Sequence, residues 1–149
     1  MSRRRRAEKR DVAPDPKFND GELARFINRL MIKGKKTTAQ RNTYNALDII
    51  REESSREPME VFQQALRNAT PAVEVRPKRI GGSTIQVPTE LRAVRSEALA
   101  MRWLIRGARS RNGIPMRQGL AQELMDASRG EGSAVRRREE LHRMAEANR

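Results

Sequence analysis

What most constrains this sequence is its apolar spacing, which keeps a helical period almost throughout and breaks into strict alternation once. Leu23, Phe26, Ile27, Leu30 and Met31 fall at i, i+3, i+4, i+7 and i+8. That is the stripe of an amphipathic helix starting near Asn19 and ended by Gly34. Thr37 and Gln40 have capping-box spacing and open a second helix through Ala46, Leu47 and Ile50 to Ser54. Pro58 suits the first turn of a third helix, with Met59, Phe62, Ala65, Leu66 and Ala69 on one face and Pro71 stopping it. Val73-Glu74-Val75-Arg76 and Ile85-Gln86-Val87 then alternate around Gly81-Gly82-Ser83, the pattern of a β-hairpin over about 72–88. Pro77 cannot donate to a ladder, so it marks an unpaired edge or the end of regular pairing.

Helical period resumes from near Arg92 to about Arg109. It returns after Asn112-Gly113, with Pro115 in the first turn and Leu120, Ala121, Leu124, Met125 and Ser128 on one side. A sixth helix follows Gly130 and Gly132, with Ser133 as its cap and Ala134, Arg138, Leu141 and Ala145 along one face. The pattern implies a mainly α fold: one six-helix, bundle-like domain over residues 18–149 with a protruding β-ribbon. Two strands alone are marginal in water, so the ribbon needs its helical base, a partner or both. Residues 1–17 are different. Pro14 and Pro16 block a helix, and Met1, Ala7, Val12 and Ala13 offer too little to bury. They read as an extended arm that orders on a partner.

The charge is unevenly placed. The formal net charge of the 149 residues is +13. Arg3, Arg4, Arg5, Arg6, Lys9 and Arg10 stand against Glu8 alone. Arg76, Lys78, Arg79, Arg92, Arg95, Arg102, Arg106, Arg109 and Arg111 stand against Glu90 and Glu97. These two segments hold nearly all the excess, whereas a solvated surface mixes both signs, so the segregation points to a polyanionic partner. Arginine outnumbers lysine 26 to 6, and a guanidinium can fork across two phosphate oxygens or stack on a base. A GC-rich genome would also favour arginine, but it would not cluster it.

The fourth helix carries the sharpest signal. At about 100° per residue, Arg92, Arg95, Arg102, Arg106 and Arg109 share an arc of roughly 100°. Val94, Ala98, Met101, Leu104, Ile105 and Ala108 occupy the neighbouring arc, expected to face the core. Like charges at i, i+4 repel unless something neutralises them, so the stripe reads as a phosphate contact. Trp103 flanks it and could cover core or stack on a base, the first being the preferred reading.

Chemistry is what the sequence lacks. There is no cysteine, hence no disulfide and no thiolate metal site, which fits a reducing compartment. The one histidine, His142, lies beside Arg143 and close to Arg136, Arg137 and Arg138, a setting for anion contact rather than catalysis. Gly81-Gly82-Ser83-Thr84 lacks the spacing and lysine of a phosphate-binding loop. Glu52-Glu53 and Glu139-Glu140 read as i, i+4 partners of arginines. No run approaches 18 apolar residues, and no apolar segment follows the charged start, so neither a membrane span nor a secretory signal is expected. No catalytic residue, metal, cofactor or small-molecule substrate is expected.

The run VEVRPKRIGGSTIQVP from Val73 to Pro88 resembles the signature of the ribosomal protein seven family of the small subunit, in its bacterial or organellar form. So do DPKF at Asp15–Phe18, GKKTTA at Gly34–Ala39, ALAMRWL at Ala98–Leu104 and HRMAEANR at His142–Arg149, in the same order. The resemblance implies six helices, a projecting ribbon, binding to the 3′ major domain of small-subunit rRNA and nucleation of head assembly. It implies rRNA contacts at the arm cations Arg3 to Arg6, with Lys9 and Arg10 beside them. Others would come from Lys35, Lys36, Arg76, Lys78, Arg79, Arg95 and Arg102, and the arginine arc of the fourth helix adds Arg92, Arg106 and Arg109. The ribbon tip at Ile80, Gly81, Gly82 and Ser83 would approach exit-site tRNA and mRNA, with head ribosomal proteins as neighbours. A cytoplasmic bacterial ribosome is the expected location, an organellar one the alternative. The sequence departs from the family's pattern at Ile85, where an aromatic is frequent, at Pro77, and in ending at Arg149 without an aromatic, basic tail.

The competing reading is a DNA-binding architectural or regulatory protein using the same basic face. A groove-reading helix wants short polar side chains beside its arginines, and the fourth helix offers little beyond Ser96.

Overall fold

Asp20 sets the first helix. Its carboxylate accepts the Leu23 N–H at 2.8 Å, so α1 runs Gly21–Leu30 from a satisfied N-terminus. The computed structural model describes residues 4–148; Arg3 lies outside the described residues. After α1 come α2 (Lys36–Ser54), α3 (Pro58–Ala69), β1 (Val73–Ile80), β2 (Ser83–Glu90), α4 (Ala93–Arg109), α5 (Met116–Ser128) and α6 (Ser133–Ala147). Six helices and one antiparallel hairpin make a mainly α fold, as the spacing predicts.

The helix α5 is the centre. It packs on α2, α3, α4 and α6, and Leu120, Ala121 and Leu124 are sealed from solvent. Around it pack Leu23, Phe26 and Ile27 of α1, Leu47 and Ile50 of α2, Phe62 of α3 and Met101 and Leu104 of α4. Phe26 and Phe62 meet edge to face, with centroids 5.3 Å apart. Close helix approach depends on Gly107 and on Gly119, where a Cβ would lie 2.9 Å from the Ala108 carbonyl oxygen. A Cβ on Gly107 of α4 would strike the Ser133 hydroxyl and lie 2.6 Å from the Glu123 carboxyl carbon. Glu123 itself is 1% exposed and accepts from Arg111 Nη2 at 3.0 Å, Ser133 Oγ at 3.2 Å and the Ala134 N–H at 3.2 Å. A carboxylate of α5 thereby satisfies the first turn of α6.

Several boundaries differ from the sequence reading. The second helix starts at Lys36 with Lys35 as N-cap and no side-chain cap, so the Thr37–Gln40 box does not form. Gly132, at φ +92°, is the N-cap of α6, and Ser133 is already helical, its hydroxyl donating to Glu123. Pro115 is likewise the N-cap of α5 rather than part of its first turn. Val94 is 61% exposed, since the first turn of α4 lies ahead of the point where the helix enters the core.

The ribbon is longer than expected, and Pro77 does not interrupt it. The register pairs Val73 with Glu90 and continues through Pro77–Gln86 to Ile80–Ser83. Gly81 and Gly82 both take positive φ, +55° and +83°, as a two-residue primed turn requires. Counting back from Ile80–Ser83, hydrogen-bonded and non-bonded pairs alternate. Pro77–Gln86 and Val75–Pro88 both fall at non-bonded positions. Each proline therefore lacks only an outward N–H, which a two-stranded ribbon leaves unpaired anyway.

The arm joins the body at a built loop. Asp15, 2% exposed, accepts the backbone N–H groups of Lys17 and Phe18 at 3.1 and 2.8 Å and the hydroxyl of Tyr44. Burial and this bond push the Tyr44 phenol up to about 12. Residues 5–15 have neither helix nor strand.

Candidate nucleic-acid interface

The predicted arginine stripe is present on α4. Arg95, Arg102, Arg106 and Arg109 are exposed along it, and Arg92 is exposed as its N-cap. Ser96, Ala98, Met101, Leu104, Ile105 and Ala108 are buried on the other side. Trp103 is 6% exposed and covers core, which removes it as a stacking platform. Among the described residues Arg92, Arg102, Arg106 and Arg109 form no ion pair. Arg109 is instead anchored by donating from Nη2 to the Leu30 carbonyl at 3.2 Å.

Three adjoining clefts connect the predicted cations. Arg29, Arg102, Ile105, Arg106 and Arg109 line one of about 330 Å³. Arg29 also borders a second, of about 510 Å³, where Lys9, Arg10, Asp11 and Val12 of the arm face Arg25, Val94 and Glu97. Arg109 borders a third, of about 490 Å³, with Lys35, Thr38 and Asn42 at its polar points and Leu30, Ile32 and Met116 as apolar wall. Arm, α1, α4 and the α1–α2 loop thus share one continuous face. Arg4, Arg5, Arg6 and Lys36 are exposed, and none of them lines these clefts.

Sequence reading missed the part that α1 plays. Arg25 and Arg29 lie four residues apart on the side of α1 away from its apolar stripe, and that spacing was the available signal. Arg29 bridges two of the clefts. Arg25 holds Glu97 of α4 through two bonds of 2.6 and 3.1 Å, and this hydrogen bonding raises the guanidinium pKa further. The pair fixes α1 against α4 and withdraws one carboxylate from the basic face.

The ribbon cations divide. Side chains alternate across a strand, so Glu74, Arg76, Lys78 and Ile80 share one face, with Ser83, Ile85 and Val87 opposite them on β2. Arg79 lies on the other face with Val75 and Pro77, paired with Thr84. Glu74, its side chain 12% exposed, holds Arg76 at 3.1 Å and Arg95 of α4 at 3.3 Å. The structure therefore does not bring Arg76, Lys78 and Arg79 together as one group. Gly81, Gly82 and Ser83 are exposed at the tip beside Ile80.

His142 is engaged within the fold. Its Nε2 accepts the N–H of Ala72 at 3.0 Å, at the root of the ribbon, which requires a neutral ring. Burial, followed by the nearby Arg138 charge, lowers its pKa below the ordinary histidine value. Glu139 and Glu140 pair with Arg138 and Arg137 at 3.7 and 3.5 Å, one and three residues away rather than four. Among the described residues no group of histidine and carboxylate side chains could hold a metal ion, and no helix is long and apolar enough to cross a membrane.

Comparison with known proteins identifies the family. The pattern of the ribosomal protein S7p/S5e family matches residues 2–149. The small ribosomal subunit protein uS7 of Maricaulis maris is 57% identical over 149 residues, spanning 100% of this chain and 96% of that protein. Those of Cellvibrio japonicus and Thermotoga maritima are 55% and 52% identical, each covering 99% of this chain and 95% of its own length. With the match running the length of the sequence, the chain belongs to the ribosomal protein S7p/S5e family, whose members are structural ribosomal proteins and not enzymes.

Proposed function

We propose that this protein is a structural constituent of the bacterial small ribosomal subunit that binds the 3′ major domain of its rRNA directly and nucleates assembly of the head. The observation that carries the reading is the continuous face from Lys9 and Arg10 through Arg29, Arg102, Arg106 and Arg109 to Lys35. Cations without carboxylate partners suit a partner that supplies the negative charge itself, and a phosphodiester backbone does so at regular spacing. A face spread over four segments fits the shape of a folded RNA junction better than the straight groove of a duplex. The ribbon tip at Ile80–Ser83 would lie near exit-site tRNA and mRNA, with head proteins as further neighbours. The relatives named above are bacterial, which favours the bacterial cytoplasm over an organelle.

Filter binding at physiological salt tests the reading, with a 3′ major-domain rRNA fragment against duplex DNA of equal length. Marked preference for the rRNA fragment is expected. Equal affinity would replace this reading with the DNA-binding one.

A further inference from the structure

We infer that the ribbon meets the RNA lying along α4 with one face only, through Arg76 and Lys78, and that Arg79 is outside that interface. The inference rests on the rRNA-binding reading above and specifies which side chains of the ribbon serve it. Three observations carry it. The register from Val73–Glu90 to Ile80–Ser83 has no bulge, so neighbouring residues on β1 stay on opposite faces along the whole ribbon. Glu74 ties its face to α4 by holding Arg76 and Arg95 with one carboxylate, which places a ribbon guanidinium beside the α4 stripe. The opposite face carries Val75, which packs against the core, and both strands of the ribbon contact α6.

The two faces also differ in chemistry. The α4-side face combines Arg76 and Lys78 with Ile85, 44% exposed, and Ile80, 53% exposed. Cationic groups beside exposed aliphatic ones suit a nucleic acid whose phosphates and sugars are approached together. The opposite face bears one cation, Arg79, among Thr84, Gln86, Pro77 and Pro88. A cation on that side is separated from the α4 stripe by the thickness of the ribbon itself.

Salt-dependent binding of the full chain to the 3′ major-domain rRNA fragment distinguishes the faces. Arg76→Gln and Lys78→Gln together are expected to flatten the slope of log K against log salt by about 1.4–1.8 and to weaken binding by about fivefold per substituted cation near 0.15 M salt. Arg79→Gln should leave slope and affinity unchanged. The chain has no cysteine, so Lys78→Cys and Arg79→Cys each introduce a single thiol. Maleimide labelling in the RNA complex should be protected at position 78 and unprotected at 79. Binding by the unaltered protein with equal losses from both faces, or protection at 79, overturns the face assignment alone. No binding by the unaltered protein overturns the rRNA reading and this inference with it.

Discussion

Gly107→Ala tests the packing that holds α4, α5 and α6 together, because intrinsic propensity and tertiary structure give opposite signs. In a free helix, alanine gains about 0.8–1 kcal/mol over glycine. Here the new methyl would press on the Ser133 hydroxyl and sit 2.6 Å from the carboxyl carbon of buried Glu123. Overpacking of that kind costs about 1–3 kcal/mol. Displacing Glu123 also weakens hydrogen bonds from the Ala134 N–H and Ser133 Oγ, each worth about 1.5–3 kcal/mol where the acceptor is charged. With the propensity gain subtracted and one bond broken, the net is a loss of about 1.5–5 kcal/mol. For a chain of this size that is a fall in Tm of about 3–20 °C. Calorimetry or circular-dichroism melting reads it directly. Ser133→Gly in the Gly107→Ala background removes the hydroxyl contact and should recover part of the loss, since touching residues couple. A Tm unchanged or raised by Gly107→Ala would refute the close approach of these three helices.

Deleting residues 1–10 should lower the salt slope of rRNA binding by about 0.7–0.9 for each phosphate the arm had neutralised, read by filter binding; an unchanged slope means the arm neutralises none. His142 has a depressed pKa in the fold, so its contribution to stability is complete above the unfolded value of about 6.5 and is lost as pH falls toward the folded value. Tm should therefore fall between pH 7.5 and 5 by less in His142→Gln than in the unaltered protein, and an identical fall would exclude burial of the neutral ring beside Arg138 as the cause. Arg111→Met leaves Glu123 without its cation and should cost about 2–3 kcal/mol, below the usual range for a broken buried pair because Arg111 is 27% exposed. Urea melting checks it, and Glu123→Gln in the same chain should restore part of the loss.

The elements legible in the sequence were those governed by local rules. The α1 stripe, Pro58 at the start of α3 and the α4 arginine arc depend on period and backbone chemistry alone, and each recurs in the structure. The misplaced elements depend on distant residues. Ser133 has the composition of an N-cap, but Glu123, ten residues earlier on another helix, takes its hydroxyl. Pro77 breaks a ladder by rule, and only its parity relative to the Gly81-Gly82 turn shows that it breaks nothing. The spacing of Arg29 from Arg25 is visible in the sequence, but its importance lies in standing between two clefts, a property of packing. His142 suggested a setting for anion contact from its neighbours in sequence, while its hydrogen-bond partner, the N–H of Ala72, is 70 residues away.

The placement of the two prolines has a consequence for the molecule before it finds RNA. A lone hairpin projecting into water has two bare edges, and bare edges recruit further strands from other copies. Pro77 removes an outward donor from one edge and Pro88 from the other. Each edge is thereby short of one donor that pairing with a further strand would use. The feature that leaves the intramolecular ladder intact also denies a third strand the regular row of hydrogen bonds it would need.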